Sequence, residues 1–318
     1  SGATESNQLA IFGRANAPDR GKKRHIVTQS SEHHAILDPI EYLEKQDFEV
    51  TLLSPDAGGF ISPEKVEAAL REDTLLVSVM AANNEVGSIQ ALREIGEVCS
   101  RASVDFHTDA AQGAGRFPID VEAMKIDLLS ISAHKYYGPK GVGALYVRRR
   151  GRRVRLEPLA FGGGQEQGLR PGTLNVPGIV GLGEASRIAK EELENETTRT
   201  RELRDRLWSK VREAIPNAKL NGTDDFDRRL AGNLNVSFPR TDGAALLIGL
   251  KDIAASSGSA CTTGNVKASY VLQALGVPID LAASALRLCV GRFNTEEEID
   301  YAAGRIAAVV RELQKRRP

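Results

Sequence analysis

The sequence predicts an α/β fold in which a large domain with a mostly parallel sheet precedes a smaller α+β domain. Short β-branched runs alternate with helical patterns through the first half of the chain, which is typical of βαβ units. A length of 318 residues suggests two domains at about 150 residues each. A long, charged helical pattern near residue 190 marks the boundary. We therefore predict a large domain over residues 1–190 and a small C-terminal domain over residues 191–318.

In the large domain, strands are predicted where β-branched and apolar residues cluster between turn residues. The predicted strands span residues 25–29, 48–54, 74–80, 104–108, 128–131 and 142–147. Ser62 followed by Pro63 is a good N-cap and first-turn pair, so a helix is predicted from there to Arg71. A further helix is predicted over residues 92–102.

The small domain is reached through a long helix predicted over residues 183–215. Its apolar residues recur every fourth position on one face. They are Leu203, Leu207, Val211 and Ile215. Strands at 234–238 and 285–290 and a helix at 244–250 follow. The capping box from Thr295 to Glu298 predicts the start of a last helix.

Composition excludes several classes of function. Lys and Arg total 42 and Asp and Glu total 42, so no charge excess attracts a nucleic acid or a membrane surface. The longest apolar stretches, such as residues 75–82, fall far short of the about 20 residues that span a bilayer. The three cysteines are too few and too scattered for a disulfide framework or a zinc site, which favours a cytoplasmic protein without a bound metal. Any cysteine chemistry is then the chemistry of a single thiol.

Four polar segments follow predicted strands and identify a candidate site. In open α/β sheets, ligands bind at the carboxyl ends of the strands, so these segments are expected at one rim. The segments are residues 31–34, 83–85, 109–112 and 132–135. A polar surface loop is the simpler reading of each one alone, whereas four at one rim suggest a single site.

Lys135 and Asp109 together suggest pyridoxal phosphate as cofactor. Lys135 directly follows an apolar strand, and a lysine in a partly desolvated pocket can form a Schiff base with an aldehyde. Asp109 ends the preceding predicted strand and is suited to pair with a protonated pyridine nitrogen. Residues 2–4 open a predicted helix, whose N-terminus is a ready anion site for the phosphate. Residues 162–164 and 170–173 offer further donors, although they also suit a flexible surface loop.

One thiol and one guanidinium remain as candidates for substrate chemistry. Cys261 lies in a run of small residues over 256–264, which can present its thiol, whereas Cys99 and Cys289 lie in apolar patterns and are expected to be structural. Arg287 alternates with two leucines and therefore points to the other face of its strand. It could grip a substrate carboxylate with two parallel hydrogen bonds, or it could be an exposed arginine of an edge strand.

Taken together, these motifs resemble the NifS/IscS-type cysteine desulfurases, of the class V aminotransferase group within fold-type I pyridoxal phosphate enzymes. The resemblance covers nearly the whole chain and implies a large domain with a mostly parallel, seven-stranded type of sheet. The family begins upstream of Ser1, so an N-terminally truncated chain is expected. The motifs that carry the resemblance are residues 2–7, 32–33, 83–87, 107–112, 132–135, 172–173 and 256–262.

The resemblance implies a role for each matching residue. Lys135 would hold the cofactor, Asp109 would pair with its ring nitrogen, and His33 would stack on the ring and move protons. Cys261 would receive the sulfur as a persulfide, and Arg287 would bind the carboxylate of the substrate. Two groups complete the cofactor site: Asn84 and Gln112 at the ring hydroxyl, and Ala3, Thr4, Ser132, His134 and the neighbouring subunit's Thr173 at the phosphate.

The implied reaction converts L-cysteine to L-alanine and leaves a persulfide for an external acceptor. That acceptor would be an iron–sulfur scaffold protein or a partner in tRNA thiolation, and the enzyme would be a homodimer. Two alternatives keep the same cofactor: a selenocysteine lyase and another class V aminotransferase-like enzyme. A third is an inactive truncated homologue that acts only as a binding partner.

Overall fold

The computed structural model describes residues 1–257 and 268–315. The chain divides into two compact units. Unit 1 comprises Ser1–Ser54, Ile61–Ala82 and Gln90–Leu193, and unit 2 comprises Pro55–Phe60, Asn83–Ile89 and Glu194–Pro318. Two short segments from the first half of the chain thus pack with the C-terminal half. The domain limits 1–190 and 191–318 remain a prediction.

Unit 1 is built on a six-stranded sheet with the order β2-β1-β3-β4-β5-β6. All neighbouring pairs are parallel except β5 and β6, which are antiparallel. The α/β class with a mostly parallel sheet is therefore confirmed, although the described residues form six strands in this sheet and not seven. The strands are β1 (His25–Gln29), β2 (Glu49–Leu53), β3 (Thr74–Ser78), β4 (Asp105–Asp109), β5 (Leu128–Ser132) and β6 (Gly143–Val147).

Helices cover both faces of this sheet, because neighbouring strand residues point to opposite sides. Ile26, Leu76 and Leu128 belong to one apolar cluster, and the residue after each belongs to the other. The first cluster includes apolar residues of α1 and α2, and the second includes those of α3 and α4. The helices are α1 (Ala3–Ala15), α2 (His34–Glu44), α3 (Pro63–Ala69), α4 (Leu92–Arg101) and α5 (Val176–Ala214), whose C-terminal part lies in unit 2.

Unit 2 contains a three-stranded antiparallel sheet, β7-β8-β9, and further helices. The apolar face of α5 that begins at Leu203 packs into the core of unit 2 together with Leu286, Leu288 and Ile306. The elements are β7 (Lys219–Leu220), β8 (Asn233–Ser237), α6 (Gly243–Gly249), α7 (Tyr270–Ala274), α8 (Ile279–Ala283), β9 (Ala285–Cys289) and α9 (Glu296–Lys315).

The helix starts predicted from the capping residues Ser62 and Thr295 are confirmed. The Ser62 hydroxyl accepts a hydrogen bond from the Lys65 amide, and Thr295 and Glu298 make both reciprocal bonds of a capping box. Helix α5 begins seven residues before the predicted 183, and β7, α7 and α8 were not predicted.

The expectations for the two structural cysteines had different outcomes. Cys99 is buried, as expected, and burial raises the pKa of its thiol to about 12. The prediction for Cys289 was wrong, since this residue is exposed. Strand alternation explains the error, because Leu286 and Leu288 take the core-facing positions and Cys289 shares the opposite face with Arg287.

Candidate active site

The predicted rim of unit 1 brings together three of the predicted catalytic and cofactor residues. His33 follows β1, Asp109 ends β4, and Lys135 follows β5. The three side chains are close enough for their charges to affect one another's titration. The Lys135 ammonium lowers the pKa of both His33 and Asp109, and the Asp109 carboxylate raises the pKa of His33. Because β4 and β5 are adjacent and parallel, their carboxyl ends meet at one edge of the sheet.

Asp109 is a buried carboxyl whose two oxygens are both held. Its Oδ1 accepts from the Ala111 amide at 2.8 Å, and its Oδ2 accepts from Nδ2 of Asn7 at 2.7 Å. Burial raises the pKa of Asp109, while these two hydrogen bonds and the charges of His33 and Lys135 lower it. Asn7 was not predicted as a site residue. The sequence feature that could have identified Asn7 is its position as a polar residue on the buried face of α1, among small and apolar residues.

His33 is the N-cap of α2, and this position fixes the state of its ring. Its Nδ1 accepts a hydrogen bond from the Ala35 amide at 3.0 Å, so Nδ1 carries no proton and the neutral ring carries its proton on Nε2. Partial burial lowers the pKa of His33, and the nearby Lys135 lowers it further. The imidazole is therefore neutral at physiological pH, with Nε2 as its only N–H donor.

Glu32 is a second buried acid at this rim, and the motif at residues 32–33, which contains it, predicted no role for it. Its Oε1 accepts from Nε2 of Gln29 at 2.9 Å and from the Met80 amide, which ties the turn after β1 to the end of β3. Burial, with a smaller contribution from Asp109, raises the pKa of Glu32 to about 8. Glu32 is thus mostly a neutral acid at pH 7.

Lys135 lies in a short 3-10 helix, Ala133–Tyr136, directly after β5, and its side chain is exposed to solvent. The turn that follows is tight: Tyr137 has a φ of 69°, and a Cβ on Gly138 would lie 2.8 Å from that of Ala133. The carbonyl of Lys135 also accepts from Nη2 of Arg116 at 3.2 Å. The backbone at Lys135 is therefore held firmly while its amine stays accessible.

The predicted phosphate residues of unit 1 lie around the N-terminus of α1. Ser132 and His134 are hydrogen-bonded, with 3.0 Å between Oγ and Nδ1. Gly2 precedes α1 and lies against this pair, since a Cβ on Gly2 would be 3.6 Å from Oγ of Ser132. The free amides at the start of α1, including those of Ala3 and Thr4, can bind an anion beside these two side chains.

Two further predicted residues of unit 1 lie in loops. Gln112 is half-buried in the turn after β4, and Thr173 is exposed in the loop before α5. Arg170, three residues before Thr173, forms an ion pair with Glu5 of α1 at 2.9 Å, which lowers the pKa of Glu5 to about 2. The roles of Gln112 and of Thr173, including the action of Thr173 across subunits, remain predictions.

Unit 2 holds Asn84 and Arg287. The guanidinium of Arg287 donates from Nη1 to the carbonyl of Asn84 at 3.1 Å. The side-chain oxygen of Asn84 is buried and has no hydrogen-bond partner in the part of the chain that the structure describes. Cys261 and its neighbours over 258–267 lie outside the described residues.

The described residues contain no group of three or more His, Cys, Asp and Glu side chains that could hold a metal ion. Within ranges 1–257 and 268–315, no helix has the length and apolar composition needed to cross a membrane.

The donor set of unit 1 fits pyridoxal phosphate. A buried carboxylate such as Asp109 is costly unless a cation or a strong donor pairs with it, and a protonated pyridine nitrogen supplies both. The α1 N-terminus with Ser132 and His134 suits a phosphate, and the accessible Lys135 amine suits an aldehyde. The residues present therefore match the three chemical parts of this cofactor.

The α/β sheet and its polar carboxyl edge place the protein among the fold-type I pyridoxal phosphate enzymes. The chain belongs to the aminotransferase class-V family, whose sequence profile matches residues 1–302.

Similar proteins narrow the class further. The chain is 51% identical over 318 residues to the cysteine desulfurase IscS of Shewanella amazonensis, covering 100% of this chain and 78% of that protein. The structure of a NifS-like protein superposes with a TM-score of 0.89 at 37% identity, covering 98% of this chain and 81% of the other. The structure of SspA in complex with cysteine has a TM-score of 0.76 at 37% identity, covering 92% and 81%. The names of these proteins support the prediction of a cysteine desulfurase. They do not support the alternatives of a selenocysteine lyase, another class V aminotransferase-like enzyme or an inactive homologue.

Proposed function

We propose that this protein is a pyridoxal phosphate-dependent cysteine desulfurase that converts L-cysteine to L-alanine and receives the sulfur as a persulfide on Cys261. The observation that carries the proposal is the position of His33, Asp109 and Lys135 at one edge of the unit 1 sheet, where Asp109 ends β4 and Lys135 follows its parallel neighbour β5. The identity to cysteine desulfurases over the full 318 residues supports the choice of substrate.

The residues assigned to the cofactor belong to unit 1, except for Asn84, which belongs to unit 2. Lys135 would bind its aldehyde covalently, Asp109 would pair with its ring nitrogen, and His33 would stack on its ring. Asn84 and Gln112 would bond the ring hydroxyl, and Ala3, Thr4, Ser132 and His134 would hold the phosphate, with Thr173 from the neighbouring subunit. When bound, the cofactor supplies an electron-withdrawing ring that stabilises the charge left when the α-proton departs.

Lys135 and His33 are the two groups of this chain that take part in proton transfer. Nδ1 of His33 is engaged by the Ala35 amide, so His33 can act only through Nε2, which already carries a proton. We therefore assign both removal and return of the proton to the amine of Lys135. A neutral imidazole is too weak an acid to release its Nε2 proton, so His33 would assist this transfer by donating a hydrogen bond from Nε2 to the reacting groups. Arg287 would orient the substrate by binding its carboxylate.

The sulfur step belongs to Cys261. Only a thiolate is nucleophilic, so a thiol with an ordinary pKa of about 8.5 must first lose its proton. The Cys261 thiolate attacks the sulfur of the substrate; the new S–S bond forms as the C–S bond breaks, and the electron pair stays with the carbon fragment. Protonation of that fragment gives L-alanine, and one thiol of the enzyme has become a persulfide.

The acceptor is proposed to be an iron–sulfur scaffold protein or another sulfur-accepting partner, and the cytoplasm is proposed as the compartment. A homodimer is proposed as the working form. Val176, Ile179 and Val180 lie on one face of the first turns of α5 and are 59%, 41% and 65% exposed, and such an apolar surface favours contact with another chain. Sedimentation analysis should give the mass of a dimer, and a monomer that retains the cofactor would contradict the role of Thr173.

The test is to incubate the purified protein with L-cysteine and a reductant and to quantify alanine and sulfide. Wild type should release both in equal amounts. Cys261→Ala should retain the yellow colour of the bound cofactor and form no persulfide, while Cys289→Ala, at an exposed thiol, should behave as wild type. Lys135→Ala should lose the covalently attached cofactor. Full sulfide release by Cys261→Ala, or an unchanged cofactor spectrum in Lys135→Ala, would refute these assignments.

A further inference from the structure

The segment Asn83–Ile89 packs on the sheet of unit 2 and is fixed there by hydrogen bonds. The Glu85 carbonyl accepts from Nδ2 of Asn233 at 3.1 Å and of Asn235 at 3.2 Å, both on β8. The Gly87 carbonyl accepts from the Leu230 amide at 2.8 Å. Gly87 has a φ of 76°, and a Cβ there would lie 2.6 Å from Oδ1 of Asn233, so this close approach requires glycine. The segment is therefore a fixed part of unit 2.

The Glu85 side chain joins this segment to the start of α7. Its Oε2 accepts from the hydroxyl of Ser269 at 2.6 Å, and both side chains are buried. Ser269 is in turn the N-cap of α7, where its Oγ accepts from the Leu272 amide at 3.2 Å. Because the Ser269 proton points to Glu85, the oxygen lone pairs are free to cap the helix. The orientation of the cap thus depends on Glu85.

Arg287 is attached to the same segment from β9. Its side chain donates to the carbonyl of Asn84, the residue before Glu85, and its cross-strand partner Asn235 donates to the carbonyl of Glu85. The backbone of Arg287 also exchanges two hydrogen bonds with Ser256, at 2.6 Å and 3.2 Å. Burial raises the pKa of the Glu85 carboxyl, while the Ser269 hydrogen bond and, to a smaller extent, the Arg287 charge lower it.

We infer that Glu85 is a positioning residue for desulfuration: its carboxyl orients Ser269, and the carbonyl of Asn84, the residue before it, holds the guanidinium of Arg287. Arg287 pairs with Ser256 on the N-terminal side of the stretch that carries Cys261, and Ser269 lies on its C-terminal side. Glu85 is thereby connected through its carboxyl to the C-terminal side of that stretch, and through the adjacent Asn84 carbonyl to Arg287, the residue proposed to bind the substrate carboxylate. This inference rests on the proposed function.

The experiment compares Glu85→Ala, Glu85→Gln and Ser269→Ala with wild type as cofactor-loaded dimers. Glu85→Ala should raise KM for L-cysteine and lower the rate of persulfide formation, each by about tenfold, the size expected for losing a buried hydrogen bond to a carboxyl. Glu85→Gln keeps an acceptor for Ser269 and should recover most of the rate. Cofactor absorbance should stay unchanged in all three variants, because the cofactor is assigned to other side chains.

A matched control separates positioning from stability. Ser284 is another buried serine of unit 2, which donates to the Leu281 carbonyl at 2.9 Å and accepts from the Phe238 amide at 3.2 Å. Ser284→Ala should lower the melting temperature without changing KM. Amide hydrogen exchange at Leu272, measured also without cofactor, should become faster in Glu85→Ala and Ser269→Ala but not in Ser284→Ala.

The outcomes are distinct. If Glu85→Ala only loses stability and keeps the wild-type KM and rate, the inference is wrong. If Glu85→Ala does not fold, Ser269→Ala decides, and wild-type kinetics with unchanged Leu272 exchange in that variant would overturn the inference. If wild type itself produces no alanine from L-cysteine, the proposed function fails instead.

Discussion

Replacing Asn7 by alanine removes the amide that donates to Oδ2 of Asp109 at 2.7 Å and leaves the bond from Ala111 in place. A hydrogen bond to a charged group contributes about 1.5–3 kcal/mol, so we expect Asn7→Ala to lose that much unfolding free energy at a pH where Asp109 is ionised. At about 1.4 kcal/mol per unit, the same loss raises the pKa of Asp109 by about one to two units. The cavity left by the amide adds a cost that does not depend on pH.

The pH dependence isolates the hydrogen bond from the cavity. Burial already raises the pKa of Asp109 in the folded state, so ionising it costs stability as pH rises through the window between its unfolded and folded values. The variant extends that window upward. The difference in unfolding free energy between variant and wild type is therefore largest above the pKa that Asp109 has in the folded variant. It shrinks as pH falls toward the pKa that Asp109 has in folded wild type, and below that only the cost of the cavity remains.

The assay is urea unfolding of both proteins over the full pH range in which both fold. Thr108→Val is the matched control, because the Thr108 hydroxyl is buried beside Asp109 and has no hydrogen-bond partner within the described ranges. Its replacement by an apolar group of similar shape should leave stability equal or higher at every pH. A destabilisation by Asn7→Ala that stays constant across this range would show that Asn7 acts by packing alone.

Two further predictions concern the neighbouring rim residues. Glu32→Gln keeps the acceptor for Gln29 and Met80 but cannot ionise. The pKa of Glu32 is about 8 in the folded protein against an ordinary 4.5, so the unfolding free energy of wild type falls as pH rises from about 5 to 8. Urea unfolding should show the unfolding free energy of the variant increasing relative to wild type by about 1.4 kcal/mol per pH unit over this range. Equal pH slopes would contradict a raised pKa. His33→Asn retains an N-cap for α2 whereas His33→Ala loses it, so the melting temperature should fall only in the His33→Ala variant, by the equivalent of about 1 kcal/mol. The rate at which L-alanine is produced from L-cysteine should fall in both variants. Wild-type alanine production by His33→Asn would remove the imidazole from proton transfer.

The strands and the position of the candidate site followed from the sequence, because both depend on local patterns. Alternation and β-branched runs located all six strands of the unit 1 sheet to within two residues. Parallel strands end at a common edge, so the polar segments after β1, β4 and β5 could be assigned to one rim from the sequence alone. Residues 83–85 were predicted at the same rim, but they belong to unit 2. This rule identified the segments that contain Lys135, Asp109 and His33, since Asp109 ends a strand and the other two lie within four residues of a strand's end. The role of His33 came from the family resemblance.

Only the tertiary structure decided which distant residues support those side chains. Asn7 and Asp109 are 102 residues apart, and Glu85 and Ser269 are 184 apart, so no local pattern links either pair. The same holds for the Asn83–Ile89 segment, which the chain order assigns to the first half but which packs with unit 2. Periodicity reports which face of an element is apolar, and only packing determines which polar group is buried against which partner.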